Sequence, residues 1–310
     1  MKKAAQEFLI CPACRSSLEL KEFETEGGEI LRGELSCACG KRYPVRDGIA
    51  EFVTESYAGS FSFQWLVQPG TPSSDALTRE VKQAFLDRLG VGGEDLRGVR
   101  VLDAGCGRGA LTALLAEQAA EVIGMDLSEG VRVAAMRTRG IPGVSILRGD
   151  ILEPPLAEGS FDAVFSFGVL HHTRDCRAAF LSLARLLRPG GFIGIWVYSG
   201  YSTYRNKASD FLRRFTTRMP RRLLYLLCHF AVPLNYLQQI PLLGLPWRII
   251  PVAGEGPWRW QVLGTFDWYS PTFQSKHTFP EVSGWFEEAG LEQIRVHDWN
   301  ICVSGRRPAR

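Results

Sequence analysis

The 310-residue sequence lacks any apolar run of the roughly 18 residues needed to cross a bilayer, and its opening stretch, Met1 to Glu7, is polar. A membrane-spanning or secreted protein is therefore not expected, and a cytoplasmic one is. Net charge is also scarce. Thirty-six Lys and Arg stand against 33 Asp and Glu, a formal +3, so global charge gives no argument for nucleic acid and any basic patch must be local. The eight cysteines, at 11, 14, 37, 39, 106, 176, 228 and 302, lack the spread of a disulfide scaffold. Four cluster near the start and four scatter, which suits a reducing compartment and a bound metal. What is present in quantity is apolar residues, 45% of the chain, enough to bury a full core and more than one unit.

Val101 to Gly109 organises the chain. Val-Leu-Asp-Ala reads as a buried strand, broken by glycines at 105, 107 and 109, and Leu111 to Ala120 follows as a helix. Strand, glycine turn and helix leave backbone N–H groups where a ligand approaches without meeting a Cβ. Asp103 stands at the strand's carboxyl end, the ligand-binding edge of an open α/β sheet. A second strand, Glu121 to Asp126, ends in an acid 21 residues beyond Gly105, the interval at which an acid meets a ribose. Ser128 caps the expected helix Glu129 to Arg137. Further strands are expected at Val144 to Leu147, running into Gly149-Asp150-Ile151, at Phe161 to Phe167 and at Phe192 to Val197, with a helix at Ala178 to Leu187. This alternation predicts a doubly wound sheet.

The glycine pattern is Asp103-x-Gly105-x-Gly107-x-Gly109 rather than Gly-x-Gly-x-x-Gly. A carboxylate beside the turn repels a pyrophosphate and suits a cationic cofactor bearing an amino acid. With Asp126, Gly149-Asp150 and Leu187-Arg-Pro-Gly-Gly191 in order, residues 60 to 310 resemble the class I S-adenosylmethionine-dependent methyltransferases, of the type 11 kind. The resemblance implies a Rossmann-like seven-stranded sheet. It implies that Asp103, Gly105, Cys106 and Gly107 line the methionine part of S-adenosylmethionine, that Asp126 meets the ribose with Leu127 beside the adenine, and that Asp150 meets the adenine amino group over Ile151. Phe167 and Gly168 would border the sulfonium.

Residues 1 to 55 form a separate unit. Cys11-Pro-Ala-Cys14 has the spacing for two thiolates on one tetrahedral ion, and Cys37-Ala-Cys39 is one residue shorter, with Gly40 to relieve the turn. Gly27-Gly28 divides two alternating stretches as a hairpin turn does. The layout predicts a zinc ribbon with a closed, structural site, the alternative being a small β unit with free thiols. The run Tyr43-Pro44 and Asp47-Gly48-Ile49 makes it resemble the small zinc-ribbon family that activates methyltransferases, a kind that also precedes some ribosomal RNA guanine methyltransferases. A protein partner through the ribbon is one implication.

Residues 56 to 97 bridge the units. Phe61, Phe63, Gln64 and Trp65 precede a Pro/Gly/Ser stretch, Pro69 to Ser74, and either pack across the main domain or cap the cofactor site. Leu77, Val81, Phe85 and Leu89 make one stripe of a helix from Asp75.

Within the unit from 98 to 310, residues 201 to 265 exceed what a minimal domain of this class needs. Arg205 to Arg222 carries seven basic residues against Asp210 alone, and an apolar run ending at Pro233 follows. Four readings stand: a lid giving an apolar acceptor pocket, peripheral contact with the inner membrane face through 205–250, contact with RNA phosphates, and plain core packing. His171 and His172 follow the fourth strand, where a base for a hydroxyl acceptor is placed. Asp267, Tyr269 and His277 form a second catalytic candidate group after the lid, Thr278 caps a helix from Glu281 to Ala289, and strands Leu291 to Val296 and Asn300 to Ser304 close the sheet. The expected function is methyl transfer to oxygen, nitrogen or carbon of a small or lipid-like metabolite. The alternatives are an RNA base methyltransferase, although no Asn-Pro-Pro-Tyr follows the fourth strand, and a non-catalytic partner protein that keeps the cofactor fold.

Overall fold

A computed structural model describes residues 1–53, 58–67, 72–201, 203–254, 256–299 and 301–309. The expected ribbon begins with β1 (Glu19–Glu26) and β2 (Glu29–Ser36), antiparallel about Gly27 and Gly28. Both glycines have positive φ, 56° and 79°, as a two-residue turn matching strand twist requires. β3 (Arg42–Arg46) and the short β4 (Ile49–Glu51) complete it.

The bridge forms α1 (Gly59–Val67) and α2 (Pro72–Leu89), and a single helical turn, α3 (Gly93–Leu96), leads to β5 (Arg100–Ala104). Phe85 and Leu89 of the expected stripe are buried, whereas Val81 is turned toward the cavity described below. The side chains of Trp65 and Leu77, and residues 68–71 within the Pro/Gly/Ser stretch, lie outside the described ones.

Helices and strands then alternate as α4 (Ala110–Leu115), β6 (Glu121–Asp126), α5 (Gly130–Thr138), β7 (Val144–Arg148), β8 (Phe161–Phe167), α6 (Cys176–Ala184) and β9 (Leu187–Val197). The cover is α7 (Thr203–Thr216), α8 (Arg221–Cys228), α9 (Ala231–Gln239) and α10 (Trp258–Tyr269). The chain closes with α11 (Phe279–Glu288), β10 (Glu292–Asp298) and β11 (Ile301–Arg306). Asn300, the expected start of the last strand, lies outside the described residues.

The strand count corrects the expectation of a seven-stranded sheet beside a separate ribbon. β7-β6-β5-β8-β9-β11-β10 are seven strands in one sheet, but the ribbon extends them into an eleven-stranded sheet, because β4 pairs in parallel with β7 from Ile49↔Ile146 to Glu51↔Arg148. The core is continuous there too: Phe8 meets Phe161 edge-on at 5.8 Å, and Leu9, Leu35 and Val45 belong to the same buried cluster as Leu102, Leu147 and Val164. Both free edges, β1 and β10, are rich in charged side chains, which discourages pairing with other chains.

The order of the sheet reverses where β5 lies between β6 and β8, and a crevice at the carboxyl ends of the strands forms at that switch point. α2 and α4 cover one face. α8 and α10 pack through Leu224, Cys228, Val262 and Phe266 into a smaller core of their own, which sets the cover over the crevice.

Candidate functional site

A cavity of about 400 Å³ opens at the switch point. Its floor is the glycine turn. Gly105 has φ 88°, and a Cβ there would stand 2.3 Å from the Val169 side chain, so only glycine lets the loop after β8 close against the loop after β5. Gly109 has φ 73°, and a Cβ would meet that of Ala134 on α5 at 2.9 Å. Asp126 lies beside this turn. Its Oδ2 accepts the Gly107 N–H at 2.9 Å and its Oδ1 the Ser128 N–H at 2.7 Å, so the carboxylate is fixed with lone pairs to spare. Ser128 Oγ accepts the Gly130 N–H at 3.2 Å, but the cap position of α5 is Glu129, one residue later than expected, and no side chain caps it.

Asp150 sits across the cavity with Leu127 and Ile151, its Oδ1 accepting the Leu152 N–H at 2.9 Å. Two fixed carboxylates with apolar side chains between them suit a ligand carrying hydroxyl and amino donors on a flat apolar body. Cys106, Gly107, Phe167 and Gly168 also reach the wall. Burial pushes the Cys106 thiol well above its usual value, as do the Asp126 and Asp103 charges, so it is a neutral wall residue.

Two wall residues were not legible beforehand. The Lys82 ammonium, on α2, lies 3.8 Å from the centre of the Phe167 ring. Burial lowers its pKa to about 8, although the Asp103 charge pulls the other way. Tyr198, just past β9, donates to Asp267 Oδ2 at 3.2 Å and stacks on Trp268 at 5.3 Å. Helical spacing marks Lys82 only as one face of α2, and nothing in the sequence pairs Tyr198 with residue 267.

The cover completes the wall with Trp260, Leu263, Gly264 and Asp267 of α10, opposite Phe61 and Gln64 of α1. Burial raises the Asp267 carboxyl to about 6, against the hydrogen bond from Tyr198 and the charge of Arg213. His172 lines the same region. Its Nδ1 lies 3.0 Å from the Phe273 carbonyl and must donate to it, which leaves the lone pair on Nε2. Burial lowers its pKa to about 4. Two buried polar atoms of wall residues, Gln64 Oε1 and Trp196 Nε1, have no hydrogen-bond partner among the described residues. Unmet groups of this kind in a cavity are where a polar ligand atom is expected.

Four predicted residues are not brought to the wall. Asp103 is 2% exposed and lies beneath the loop, accepting the Thr112 hydroxyl at 2.6 Å, with burial raising its pKa to about 6. His171 is sealed in, its ring stacked on Tyr198 at 3.8 Å, and burial drives its pKa well below the usual value. Tyr269 points away from Asp267 and donates to the Pro251 carbonyl at 2.8 Å. His277 is held between Glu281 at 2.8 Å and Ser275 at 2.7 Å, a brace for the start of α11. Thr278 N–H donates to Glu281 Oε2 at 3.4 Å at the same helix start.

The four ribbon cysteines do converge. Cys11, Cys14, Cys37 and Cys39 present sulfurs all within 4.8 Å of one another, with 3.7 Å between Cys11 and Cys39 and 3.4 Å between Cys14 and Cys37. Tetrahedral thiolates at a zinc–sulfur distance of about 2.3 Å stand roughly 3.8 Å apart, so the set fits a zinc ion and is too open for disulfides. The site supplies four protein ligands and no position for water, as a structural ion requires.

Comparisons with known proteins agree with both halves. Residues 102–195 match the methyltransferase domain family and residues 2–48 the Trm112p-like protein family. A probable S-adenosylmethionine-dependent methyltransferase of Mycolicibacterium smegmatis is 46% identical over 92 residues, 29% of this chain and 35% of that protein. The demethylmenaquinone methyltransferase of Beutenbergia cavernae is 36% identical over 119 residues, 38% of this chain and 47% of that protein. The chain thus spans less than half the length of these relatives. A solved complex of the Haloferax volcanii Trm112 methyltransferase activator with a methyltransferase is 15% identical with a TM-score of 0.45, covering 83% of this chain and 100% of that one. One polypeptide thus carries a segment that matches the Trm112p-like protein family followed by one that matches the methyltransferase domain family.

Proposed function

We propose that the chain transfers a methyl group from S-adenosylmethionine to an acceptor with an apolar body and one ionisable or hydroxyl group. The observation that carries this is the division of one cavity into two ends. Asp126, Asp150 and the glycine turn would form a cofactor end, and Trp260, Leu263, His172 and Asp267, which line the same cavity, would form an acceptor end. When bound, S-adenosylmethionine supplies an activated methyl on a sulfonium, a transfer that needs alignment more than acid–base assistance.

This chain's residues would act as follows. Asp126 would accept the ribose hydroxyls and Asp150 the adenine amino group, with Leu127 and Ile151 against the ring. Lys82 would face the carboxylate of the methionine part. At the acceptor end, Trp260 and Leu263 would exclude water and orient the acceptor. Asp267 is the better placed base, since its pKa near 6 lies closer to neutrality than the value near 4 of His172. Tyr198 would hold the carboxylate in position. The demethylmenaquinone enzyme among the relatives supports an acceptor with an apolar part. An RNA acceptor is less well served, because none of the exposed arginines Arg214, Arg218, Arg221, Arg222, Arg248 and Arg259 lines the cavity and the wall itself is mainly apolar. The ribbon's partner in this reading is the chain's own methyltransferase domain, through β4 and β7.

Titration calorimetry with S-adenosylhomocysteine tests the cofactor end. One-to-one binding that Asp126→Ala weakens about 10- to 100-fold is expected. Absence of binding to the intact protein would sink the proposal and leave a partner protein with an empty fold.

A further inference from the structure

The cover has a second apolar side, which faces away from the cavity. α8 buries Leu224 and Cys228 against α10, yet Leu223, Leu226, Leu227 and Phe230, spaced at three and four residues, stand 41–68% exposed. A helix apolar on both sides needs two apolar surroundings. Phe211 and Phe215 of α7 continue the exposed side with rings 5.6 Å apart, and Leu242, Leu243 and Trp247 extend it beyond α9. Single exposed apolar residues are ordinary; these nine large ones between residues 211 and 247 are not.

Charge identifies what covers it. Residues 201–264 hold nine Lys and Arg against two acids, a net +7 in a chain whose total is +3, so the rest is net acidic. Lys207, Arg214, Arg218, Arg221, Arg222, Arg248 and Arg259 are exposed, and no ion pair among the described residues joins any of them to an acid. The described acid of the segment, Asp210, is paired with Lys276.

We propose that this face, from α7 to the turn after α9, docks on the surface of an anionic lipid bilayer. Leu226, Phe230 and Leu242 would enter the headgroup boundary, the arginines would meet lipid phosphates, and Trp247 and Trp258 would sit at headgroup level. Among the described residues no helix is long and apolar enough to cross a membrane, and the contact proposed is an in-plane one. RNA would satisfy the arginines and leave the leucines in water. A second copy would bring one strongly positive face against another. Trp258 is 52% exposed while Trp260, two residues on, lines the cavity, so α10 connects the docking face with the acceptor end. That connection rests on the methyltransferase reading; the docking does not.

The experiment uses the full chain without cofactor, sedimented with vesicles of phosphatidylcholine alone or mixed with phosphatidylglycerol. The protein should pellet with the anionic vesicles, less so as salt rises. Leu226→Gln with Phe230→Gln should weaken partition at least about tenfold, and Arg218→Gln roughly fivefold. These side chains face water, so thermal midpoint and S-adenosylhomocysteine binding should be unchanged, which separates failed docking from a failed fold or a failed cofactor site. The proposal is overturned if no pelleting occurs, if the double variant pellets as well as the parent, or if sedimentation equilibrium shows a dimer that the double variant loses. Tighter binding to RNA than to vesicles, unaffected by the double variant, would assign the arginines elsewhere and overturn it as well.

Discussion

Tyr198 donates its hydroxyl to Asp267 Oδ2 at 3.2 Å, tying the end of β9 to the last turn of α10 at the cavity wall. Burial raises the carboxyl to about 6 and this hydrogen bond, which favours the ionised form, opposes the rise. Infrared titration should therefore show a protonated-carboxyl band that is absent in Asp267→Asn and fades with a midpoint near pH 6. Tyr198→Phe should move that midpoint upward. A band that has already vanished by pH 4 would place the carboxyl in water and remove Asp267 from the acceptor site.

Asp126 holds the glycine turn from the side, through Gly107 and Ser128. Asp126→Ala removes two charge-assisted hydrogen bonds from backbone donors as well as the acceptor proposed for a ribose. At roughly 1.5–3 kcal/mol for a hydrogen bond to a charged group, cofactor affinity should fall about 10- to 100-fold. Gly105→Ala should fall at least as far, since its Cβ would stand 2.3 Å from Val169 at a φ of 88°. Calorimetry with S-adenosylhomocysteine decides both; affinity within twofold of the parent in either variant contradicts the assignment of the floor.

How far the site could be read in advance depended on how local each piece is. The glycine turn, Asp126 and Asp150 lie at strand ends that alternation and glycine spacing mark out, and their strands fall where expected. Tyr269 was grouped with Asp267 because they are near in sequence. Two residues along a helix are about 200° apart, so if one faces the cavity the other faces away. His171 and His172 separate likewise around a single tight helical turn, one sealed and one on the wall. Lys82 and Tyr198 arrive from elements distant from the motifs, and no periodicity announces them. The joined sheet was hidden for the same reason: β4 is three residues long and its partner β7 begins almost a hundred residues later.

His171 gives stability a pH dependence of defined sign. Burial holds its pKa well below 6.5, with the charges of His172 and His277 adding to the effect. Below pH 6.5 the unfolded chain gains a proton that the folded chain refuses, so stability present above that pH is lost as pH falls. The loss steepens toward a limit of about 1.36 kcal/mol per pH unit below pH 6.5. His171→Phe keeps a ring stacked on Tyr198 and removes two buried nitrogens that have no hydrogen-bond partner among the described residues. Urea unfolding at pH 7.5 and pH 5 should show the variant gaining on the parent at the acid end. Parallel losses in both proteins would mean that His171 is protonated in the fold.

The ribbon and the main sheet are coupled through Arg15, the residue after Cys14. Its backbone is held at φ 63°, a left-handed conformation that a non-glycine side chain adopts only under constraint, and its N–H donates to the Cys11 carbonyl at 2.8 Å. From there its guanidinium reaches the Pro154 and Leu156 carbonyls at 2.9 and 3.1 Å, beside the loop that follows Asp150. Arg15→Ala should leave zinc at one equivalent and cost about 1 kcal/mol, a modest figure because the side chain is 42% exposed. Cys14→Ser should drop zinc below half an equivalent and release the knuckle, and with it the same clamp. If the metal positions Arg15, the double variant will be little less stable than Cys14→Ser alone, a coupling of roughly the whole Arg15 effect. Fully additive losses in thermal or urea unfolding, with zinc measured by elemental analysis, would show that the cysteine knuckle and the clamp on the methyltransferase domain act independently.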